Sequence, residues 1–538
     1  MFQKAPCLFG TSIAIGLLFV LIGVLLLIGF PINGIVNDKV IKQDFLGYVR
    51  DENGTEVPNK MTQSWLRPPY KMQMNIWMFN VTNVDRILGM HEKPNLQEIG
   101  PFVFDEVQEK IYHRFEQNDT RVFYKNKKLY YFNRNESCAT CDLDIKVVIP
   151  NVVFQKLVDV ADEKIFGVKI KFAIEMVLKM VSEAPYITVK VREALFEGYE
   201  DPIIDIVCKN KILSFLCETN SLQRKVGFFY NQNDTTDGIY EVDAGVPQPL
   251  NIGKLYTWNN MSIMPNGTWD SEYARMVNGT DGQLFSPLLI RENRITIFVP
   301  QICRSIQMEY FKDVSVAGVP SWRYVPPADL YDPALPQNKD FCNKNGMPKF
   351  FDNSSVQIEN CLPAGLIDLS RCQAGNPRVY LSQPHFYSSP IEVWQSVSGL
   401  AAPTALNDRT YVDLEPTAGV PVQAKRIMQI NVGVVKGSLS IMENTTNVIV
   451  PVLWMNETAF FDNGTRDQLI DIFNAKHYSF IGGVTTLSLG LMAWLAVFVV
   501  IIVYSRQQPD EEYGRLVLDE DEEEAEQANG QQDNLVIA

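Results

Sequence analysis

The segment LFGTSIAIGLLFVLIGVLLLIGF covers Leu8 to Phe30, and a second apolar segment, SFIGGVTTLSLGLMAWLAVFVVIIVY, covers Ser479 to Tyr504. Neither contains Asp, Glu, Lys or Arg, and each is about as long as the ~20 residues that a helix needs to cross ~30 Å of hydrocarbon. The first is longer than the apolar region of a signal peptide, and no small-x-small cleavage site follows it, so we interpret it as an uncleaved anchor. The two segments predict two membrane-spanning helices and two tails on the same side.

Potential glycosylation sites indicate which compartment the intervening segment faces. Asn-x-Ser/Thr sequons occur twelve times between the apolar segments and in neither tail: Asn53, Asn80, Asn118, Asn135, Asn233, Asn260, Asn266, Asn278, Asn353, Asn444, Asn456 and Asn463. This confinement predicts an ectodomain that has entered the secretory lumen. Eight of the nine cysteines lie in the same segment, an even number that suits disulfide bonds in an oxidising compartment.

The ectodomain has the sequence pattern of an antiparallel β structure. In residues 427–434, apolar side chains occupy every second position, which predicts a half-buried strand. Ile295 to Val299 and Val448 to Met455 predict strands buried on both faces. Pro- and Asn-rich turns separate many such runs, and no Gly/Ser linker interrupts them, so we expect one large domain.

Residues 151–200 predict a helical cap on this domain. Asn151 is a suitable N-cap for a first helix, Lys169 to Ser182 forms a second that is apolar on nearly every side, and Val189 to Glu197 predicts a third. The apolar faces either pack on one another or leave a surface for a partner or a lipid. The candidate contact residues are Phe154, Leu157, Phe172, Ile174, Val177 and Val181 for apolar groups, with Lys156, Lys164, Lys171 and Lys179 for anionic head groups. The cap contains no histidine, so we expect little or no pH dependence of partner release.

Six motifs follow one another along the chain: VREALFEGYEDPIIDIV (Val191–Val207), MVNGTDG (Met276–Gly282), QICRS (Gln301–Ser305), QPHFY (Gln383–Tyr387), RTYVDLEP (Arg409–Pro416) and VPVLWMNET (Val450–Thr458). Together with both anchors, this series resembles the class B scavenger receptor family across essentially the whole chain, and a lysosomal member is closest in character. The resemblance implies an α+β membrane protein with a large antiparallel β-barrel-like luminal ectodomain, an apolar tunnel through it and an apical helical bundle.

The expected organisation follows from the anchors and the resemblance. It comprises a cytosolic N-terminal tail (1–7), a transmembrane helix (8–30), a luminal ectodomain (31–478, with the apical bundle at 151–200), a second transmembrane helix (479–504) and a cytosolic acidic tail (505–538). By resemblance, Cys303 pairs with Cys372 and Cys342 with Cys361. Cys208 with Cys217 and Cys138 with Cys141 are then the local pairs, although four cysteines permit other connectivities.

Both tails carry candidate signals. Cys7 lies beside the first anchor, where a thiol is open to palmitoylation, and it is equally compatible with a free thiol. In the C-terminal tail, Tyr513 and Leu516 fit the tyrosine-based pattern that clathrin adaptors recognise, and Glu512, Leu516 and Val517 approximate an acidic dileucine signal. Six consecutive acidic residues follow at Asp519 to Glu524 and contribute to the net charge of −15. We interpret this run as a solvated tail.

The residues argue against an enzyme. The chain has four histidines and no GxSxG, HExxH or phosphate-binding glycine motif. His385 is expected to be a packed, hydrogen-bonded imidazole, and neither a catalytic residue, a metal site nor a cofactor is predicted. An ion-channel subunit with two spanning helices is the remote alternative, disfavoured because neither anchor contains a carboxylate.

We therefore predict a lysosomal or late endosomal membrane glycoprotein that acts as a receptor for lipids such as sterol, phospholipid or fatty acid. Lipid would move through the ectodomain tunnel to the membrane, shielded from water. Expected partners are a lysosomal hydrolase at the cap and clathrin adaptors at the tail, with a homo-oligomer left open and no role for nucleic acid. The alternative is a plasma-membrane scavenger receptor for lipoproteins or apoptotic cells.

Overall fold

The computed structural model describes residues 5–29, 32–43, 45–163, 167–181, 184–209, 214, 217, 224–343, 346–373 and 375–507. Two compact units are present, Met1–Val36 with Asp471–Ala538, and Asn37–Ile470. The second unit contains the β structure and lies within the segment 31–478, for which an ectodomain is predicted.

The helices and strands alternate irregularly along the chain. The helices are α1 (Ala5–Leu27), α2 (Ile32–Gln43), α3 (Lys60–Leu66), α4 (Val84–Met90), α5 (Val152–Asp162), α6 (Gly167–Met180), α7 (Pro202–Lys209), α8 (Glu272–Arg275), α9 (Ile391–Gln395), α10 (Ala405–Asp408) and α11 (Asn463–Gln507). The strands are β1 (Tyr48–Arg50), β2 (Glu56–Pro58), β3 (Tyr70–Val81), β4 (Leu96–Glu116), β5 (Arg121–Phe132), β6 (Lys146–Pro150), β7 (Tyr186–Lys190), β8 (Tyr199–Glu200), β9 (Lys225–Val226), β10 (Thr235–Asp243), β11 (Leu255–Trp258), β12 (Ile295–Val299), β13 (Arg304–Val316), β14 (Val319–Val325), β15 (Leu366–Asp368), β16 (Val379–Ser382), β17 (Tyr411–Glu415), β18 (Val420–Val434) and β19 (Val448–Phe461).

Thirteen antiparallel strands form one large sheet. Its main order is β11-β10-β5-β4-β3-β19-β18-β17-β14-β13-β12, and β16 pairs with both β15 and β18. The sheet curls until its two edge strands are joined by one segment: Leu255 N donates to Gly279 O over 2.8 Å, and Thr280 N donates to Thr296 O over 2.9 Å. The result is a nearly closed barrel, as the resemblance implies.

Gly279 is required at this closure. Its φ is +92°, and a Cβ placed there would overlap the carbonyl of Thr296 on β12. Only glycine tolerates both the left-handed backbone and so close an approach of a neighbouring strand. This residue belongs to the motif Met276–Gly282, which explains physically why that motif contains a glycine.

Two of the three strand predictions need correction. Val448 to Met455, in β19, is buried on both faces as predicted, whereas in β12 only Ile295 and Phe298 are buried because the strand lies at an edge of the sheet. In β18, Gln429 to Val434 is buried on both faces rather than one. Its polar face is covered because β16 packs beside it and Asn431 Nδ2 donates to Ser382 Oγ over 3.0 Å.

The predicted third helix, Val189 to Glu197, begins two residues later than predicted: residues 191–197 are helical and end at Gly198, whereas Val189 and Lys190 belong to a strand. Tyr186–Lys190 forms β7, which pairs with β6 from Lys146↔Lys190 to Pro150↔Tyr186, and the helical segment that follows is π-helical over Glu193–Glu197. Three consecutive β-branched residues, Ile187, Thr188 and Val189, make β7 better suited to a strand than to a helix. The next regular helix is α7, and we define the cap as α5, α6 and α7.

The first unit contains the two apolar helices. By length and composition, the segment Asn463–Val503 of α11 is able to cross a membrane, whereas the apolar segment Thr11–Leu27 of α1 is shorter. The helices pack antiparallel and closely: a Cβ on Gly23 would lie 2.5 Å from Leu487 N, and one on Gly483 would lie 2.8 Å from Leu27 N. Small residues permit such backbone approach. Spanning by α1 remains a prediction.

Candidate functional site

A large apolar cavity lies beneath the cap. Its volume is about 510 Å³, and it is lined by α5, α7 and barrel strands, with Leu157, Ile203, Ile430 and Met455 among the lining residues. Cavities that hold small ligands typically measure about 300–1,000 Å³ and are mainly apolar. We call this space the cap cavity, and it is large enough for a lipid chain or a sterol.

A second cavity of about 290 Å³ occupies the barrel interior next to the first. Met72, Met308, Val422 and Ala459 contribute to its wall. We call it the barrel cavity. Met428 lines both cavities, so they adjoin inside the barrel.

Charged side chains lie where the two cavities adjoin. Lys128 from β5 and Arg426 from β18 line both cavities. Lys128 Nζ lies 2.9 Å from Glu106 Oε1 and 3.0 Å from Glu457 Oε1, and Arg426 Nη2 donates a hydrogen bond to Glu457. We call these four residues the charged collar. They lie on four different strands, so only the curled sheet brings them together.

The four residues of the charged collar differ in how strongly their surroundings favour the ionised form. Burial raises the pKa of Glu457, but attraction to Arg426 and Lys128 outweighs it and holds this pKa well below its usual value. Burial likewise lowers the pKa of Lys128, but Glu106 and Glu457 outweigh it and raise that pKa well above its usual value. Burial and repulsion by Glu457 raise the pKa of Glu106, whose Oε2 has no hydrogen-bond partner among the described residues. Glu106 is therefore the collar carboxylate that protonates most easily.

The helical cap is attached to the barrel by polar contacts. Asn151 caps α5 as predicted, accepting from Phe154 N over 3.0 Å. Side chains of α5 and α6 accept hydrogen bonds from the backbone that follows β18: Gln155 from Val435 N over 3.1 Å, Asp162 from Ser438 N over 2.9 Å and Glu175 from Ser440 N over 3.2 Å.

An apolar stripe runs along the outer face of α6. Val168, Phe172, Met176 and Met180 recur every fourth residue, and their exposed fractions are 82%, 64%, 53% and 71%. Large apolar side chains exposed in a row mark a surface for a partner or a lipid. Of these four, the sequence analysis singled out Phe172 alone, because helical spacing does not show which face a neighbouring helix covers.

The other candidate cap residues have different positions. Phe154, Ile174 and Val177 are buried between the cap helices, which corrects their expected place on a contact surface. Leu157 and Lys156 line the cap cavity, and burial lowers the pKa of Lys156. Lys171 and Val181 are half-buried and Lys179 is exposed. Lys164 lies outside the described residues, as do Glu512, Tyr513, Leu516 and Val517, and nothing is described of the Cys7 side chain.

His385 is held between two carboxylates inside the barrel wall. Its Nδ1 lies 3.1 Å from Asp408 Oδ1 and its Nε2 lies 3.3 Å from Glu98 Oε2. Trp454 Nε1 donates to the other oxygen of Glu98 over 2.7 Å. This is the packed, hydrogen-bonded imidazole that the sequence analysis expected.

The disulfide bonds join the pairs named in the sequence analysis. They are Cys138–Cys141, Cys208–Cys217, Cys303–Cys372 and Cys342–Cys361. Cys303 to Cys372 connects the segment after β12 to the segment after β15, across 69 positions of the chain. In the part of the chain that the structure describes, no group of His, Cys, Asp or Glu has the arrangement of a metal site.

Known proteins resemble this chain over most of its length. Residues 14–502 match the model of the CD36 family. Lysosome membrane protein 2 of Rattus norvegicus is 29% identical over 473 residues, which cover 87% of this chain and 90% of that protein. Its Homo sapiens counterpart is 28% identical over 469 residues, which cover 87% and 89%. Scavenger receptor class B member 1 of Rattus norvegicus is 26% identical over 474 residues, which cover 86% and 84%. Because the family match includes the whole barrel, the cap and most of both apolar helices, this chain belongs to the CD36 family.

Proposed function

We propose that the protein is a lysosomal membrane receptor that binds lipid in its two adjoining cavities and passes it through the barrel towards the membrane. The observation that carries the proposal is the apolar interior. Methionine, isoleucine and valine side chains line about 510 Å³ beneath the cap and about 290 Å³ in the barrel. A sterol or an acyl chain in such a lining is removed from water, which is favourable by about 25 cal/mol per Å² of apolar surface.

The cap is the proposed docking surface for a hydrolase or a lipid particle. Its apolar stripe of Val168, Phe172, Met176 and Met180 is exposed, and no sequon lies between residues 136 and 232, so glycans do not attach near it in the chain. An apolar surface of this kind, free of attached sugar, favours contact with a partner. Lysosomal residence is proposed because of the similarity to lysosome membrane protein 2 and the tail motif at Tyr513.

A bulky side chain introduced between the two cavities tests lipid binding. Met428 lines both cavities, so Met428→Trp places a large ring where they adjoin. We expect the purified full chain to carry much less lipid by mass spectrometry of extracted lipids, and to transfer less fluorescent sterol between vesicles. Val107→Trp is the matched control, because Val107 is 50% exposed and lines neither cavity. Equal lipid content in both variants and the wild type would contradict the proposal.

The second candidate function is a plasma-membrane scavenger receptor, favoured by the similarity to scavenger receptor class B member 1. Steady-state location separates the two candidates. If the tail motif sorts the protein to lysosomes, Tyr513→Ala with Leu516→Ala shifts it to the cell surface, whereas Leu518→Ala in the same tail does not. A wild-type protein found mainly at the surface favours the scavenger receptor.

A further inference from the structure

We propose that the charged collar binds the anionic head group of a lipid, a carboxylate or a phosphate, while the acyl chain lies in an adjoining apolar cavity. The inference rests on the proposed binding of lipid in these cavities. It adds the chemical class of lipid that the barrel prefers.

The collar faces the interior of the barrel. Arg426, Met428 and Ile430 are the residues of β18 that line the cap cavity, and alternate residues of a strand share one face, to which Ala424 also belongs. Apolar side chains thus lie on both sides of Arg426 along the strand. A head group that binds Arg426 leaves its chain in apolar surroundings in either direction.

Arg426 has hydrogen-bonding capacity that the protein does not use. A guanidinium carries five N–H donors, but among the described residues only Glu457 accepts from it, through Nη2. The side chain is 32% exposed although it points inward, so its free donors face the cavity. An arginine with an open donor face binds carboxylate or phosphate in a bidentate manner. An uncharged lipid would leave these donors unpaired, which costs binding free energy.

The balance of charge also favours an anion. Lys128 and Arg426 are cations, Glu457 stays ionised, and Glu106 is the carboxylate that protonates most easily. The charged or titratable groups around Glu106 are Lys128 and Tyr130 on β5, Glu457 on β19 and Arg426 on β18. Asp237 on β10 also lines both cavities and interacts with Lys128, and burial raises the pKa of its carboxyl group. Protonation of Glu106 makes the junction of the two cavities more positive by one charge, and protonation of Asp237 acts in the same direction, so acidification strengthens binding of a head group that stays ionised.

Competition between lipids that differ only in charge tests the proposal. Radiolabelled oleate is bound to the purified full chain in amphipol and displaced by unlabelled oleate, by uncharged oleyl alcohol, or by monooleoyl glycerol phosphate. We expect the wild type to bind oleate or the phosphate about tenfold more tightly than the alcohol, as is typical of a hydrogen bond to a charged group. The tighter of the two anions identifies carboxylate or phosphate as the preferred head group.

Paired substitutions separate the collar from general folding. Arg426→Gln with Glu457→Gln keeps the net charge and should remove most of the preference for the anion while leaving alcohol binding unchanged. Arg323→Gln with Asp413→Asn is the matched control, because this bidentate pair, with both distances 2.7 Å, lines neither cavity. An undiminished preference in the collar variant overturns the proposal.

If the paired variant does not fold, a single substitution that is expected to strengthen oleate binding tests the proposal instead. Glu106→Gln removes a negative charge at constant size, so oleate should bind several-fold more tightly at neutral pH, and unchanged or weaker binding overturns the proposal. If wild type binds oleate and alcohol equally, only the collar proposal fails. If wild type binds neither lipid, the proposed function fails with it.

Discussion

At the scale of single residues, His385 shows how a buried charge is kept. Burial disfavours the protonated ring, but hydrogen bonds and attraction from Asp408 and Glu98 outweigh it and raise the pKa of His385 to about 9. The ring is then positively charged at both neutral and lysosomal pH. It acts as a fixed link between the QPHFY segment, β4 and α10, and it does not respond to acidification.

The raised pKa of His385 determines how the free energy of unfolding depends on pH. Because the folded protein binds the proton more tightly than the unfolded chain, the stabilisation is complete below about pH 6.5 and is lost as pH rises through about 9. A rise of the pKa from 6.5 to about 9 corresponds to at most about 3–4 kcal/mol. We expect the difference in melting temperature between wild type and His385→Gln to be constant from pH 5 to about pH 6.5 and to shrink at alkaline pH. A difference that grows with pH would contradict the assignment.

The sequence alone does not predict that the four residues of the charged collar lie together. Lys128 and Glu457 are 329 positions apart, and each looks like an ordinary surface charge in its own strand. They meet because the register of β18, β19, β4 and β5 places them in one layer of the barrel. The sequence predicts N-caps and sequons because their chemistry is local. The resemblance to the family implied the pairing of Cys303 with Cys372 and of Cys342 with Cys361.

At the scale of elements, the joint between cap and barrel depends on the loop that follows β18. Three backbone N–H groups of this loop donate to side chains of α5 and α6. Gly437 lies in the middle of it with φ of +56°, and a Cβ there would lie 2.8 Å from Asp162 Oδ2 and would overlap Val158. The helices therefore approach the loop as closely as a glycine allows.

We expect Gly437→Ala to loosen the cap. The added methyl group must displace α5, at a cost of about 1–3 kcal/mol for overpacking, so hydrogen exchange in α5 and α6 should become faster while β19 keeps its protection. Gly54→Ala is the matched control, because Gly54 has φ of +79° with no heavy atom within 4 Å of the added Cβ. If the two variants exchange alike, close packing at Gly437 does not hold the cap.

The cap also shows where local pattern fails to identify an element. The helical spacing in Val152–Asp162 and Gly167–Met180 predicted two helices correctly because apolar residues recur at that spacing in each and part of them is buried. Tyr186–Lys190 has comparable apolar content, yet it forms a strand because β6 offers it a partner. That partner is separated from it by both helices, so sequence spacing alone did not show it.

At the scale of the whole molecule, the sequons divide the surface of the β unit into regions with and without potential glycosylation sites. Ten of the twelve sequon asparagines are exposed, and Asn80 and Asn456 are half-buried. Asn80 Oδ1 accepts from Val148 N over 2.8 Å, which links β3 to β6. Asn456 lies in β19 between two paired strands, next to Ile427 and Asn75. A glycan on either residue would have to fit against the wall of the barrel.

We therefore expect the folded protein to carry glycans on exposed sequons and none on Asn80 or Asn456. Glycans are attached to surface positions, and a sugar on Asn80 Nδ2 would crowd Gln97, whose Oε1 accepts from this nitrogen over 3.4 Å. Asn80→Gln and Asn456→Gln should leave the mass of the mature protein unchanged apart from the substitution, whereas Asn118→Gln, at an exposed turn, should remove one glycan. Glycopeptide mass spectrometry after enzymatic deglycosylation in heavy-oxygen water measures occupancy at each site. Full occupancy of Asn80 or Asn456 would mean that the barrel wall around β3 and β19 is more open than the structure shows.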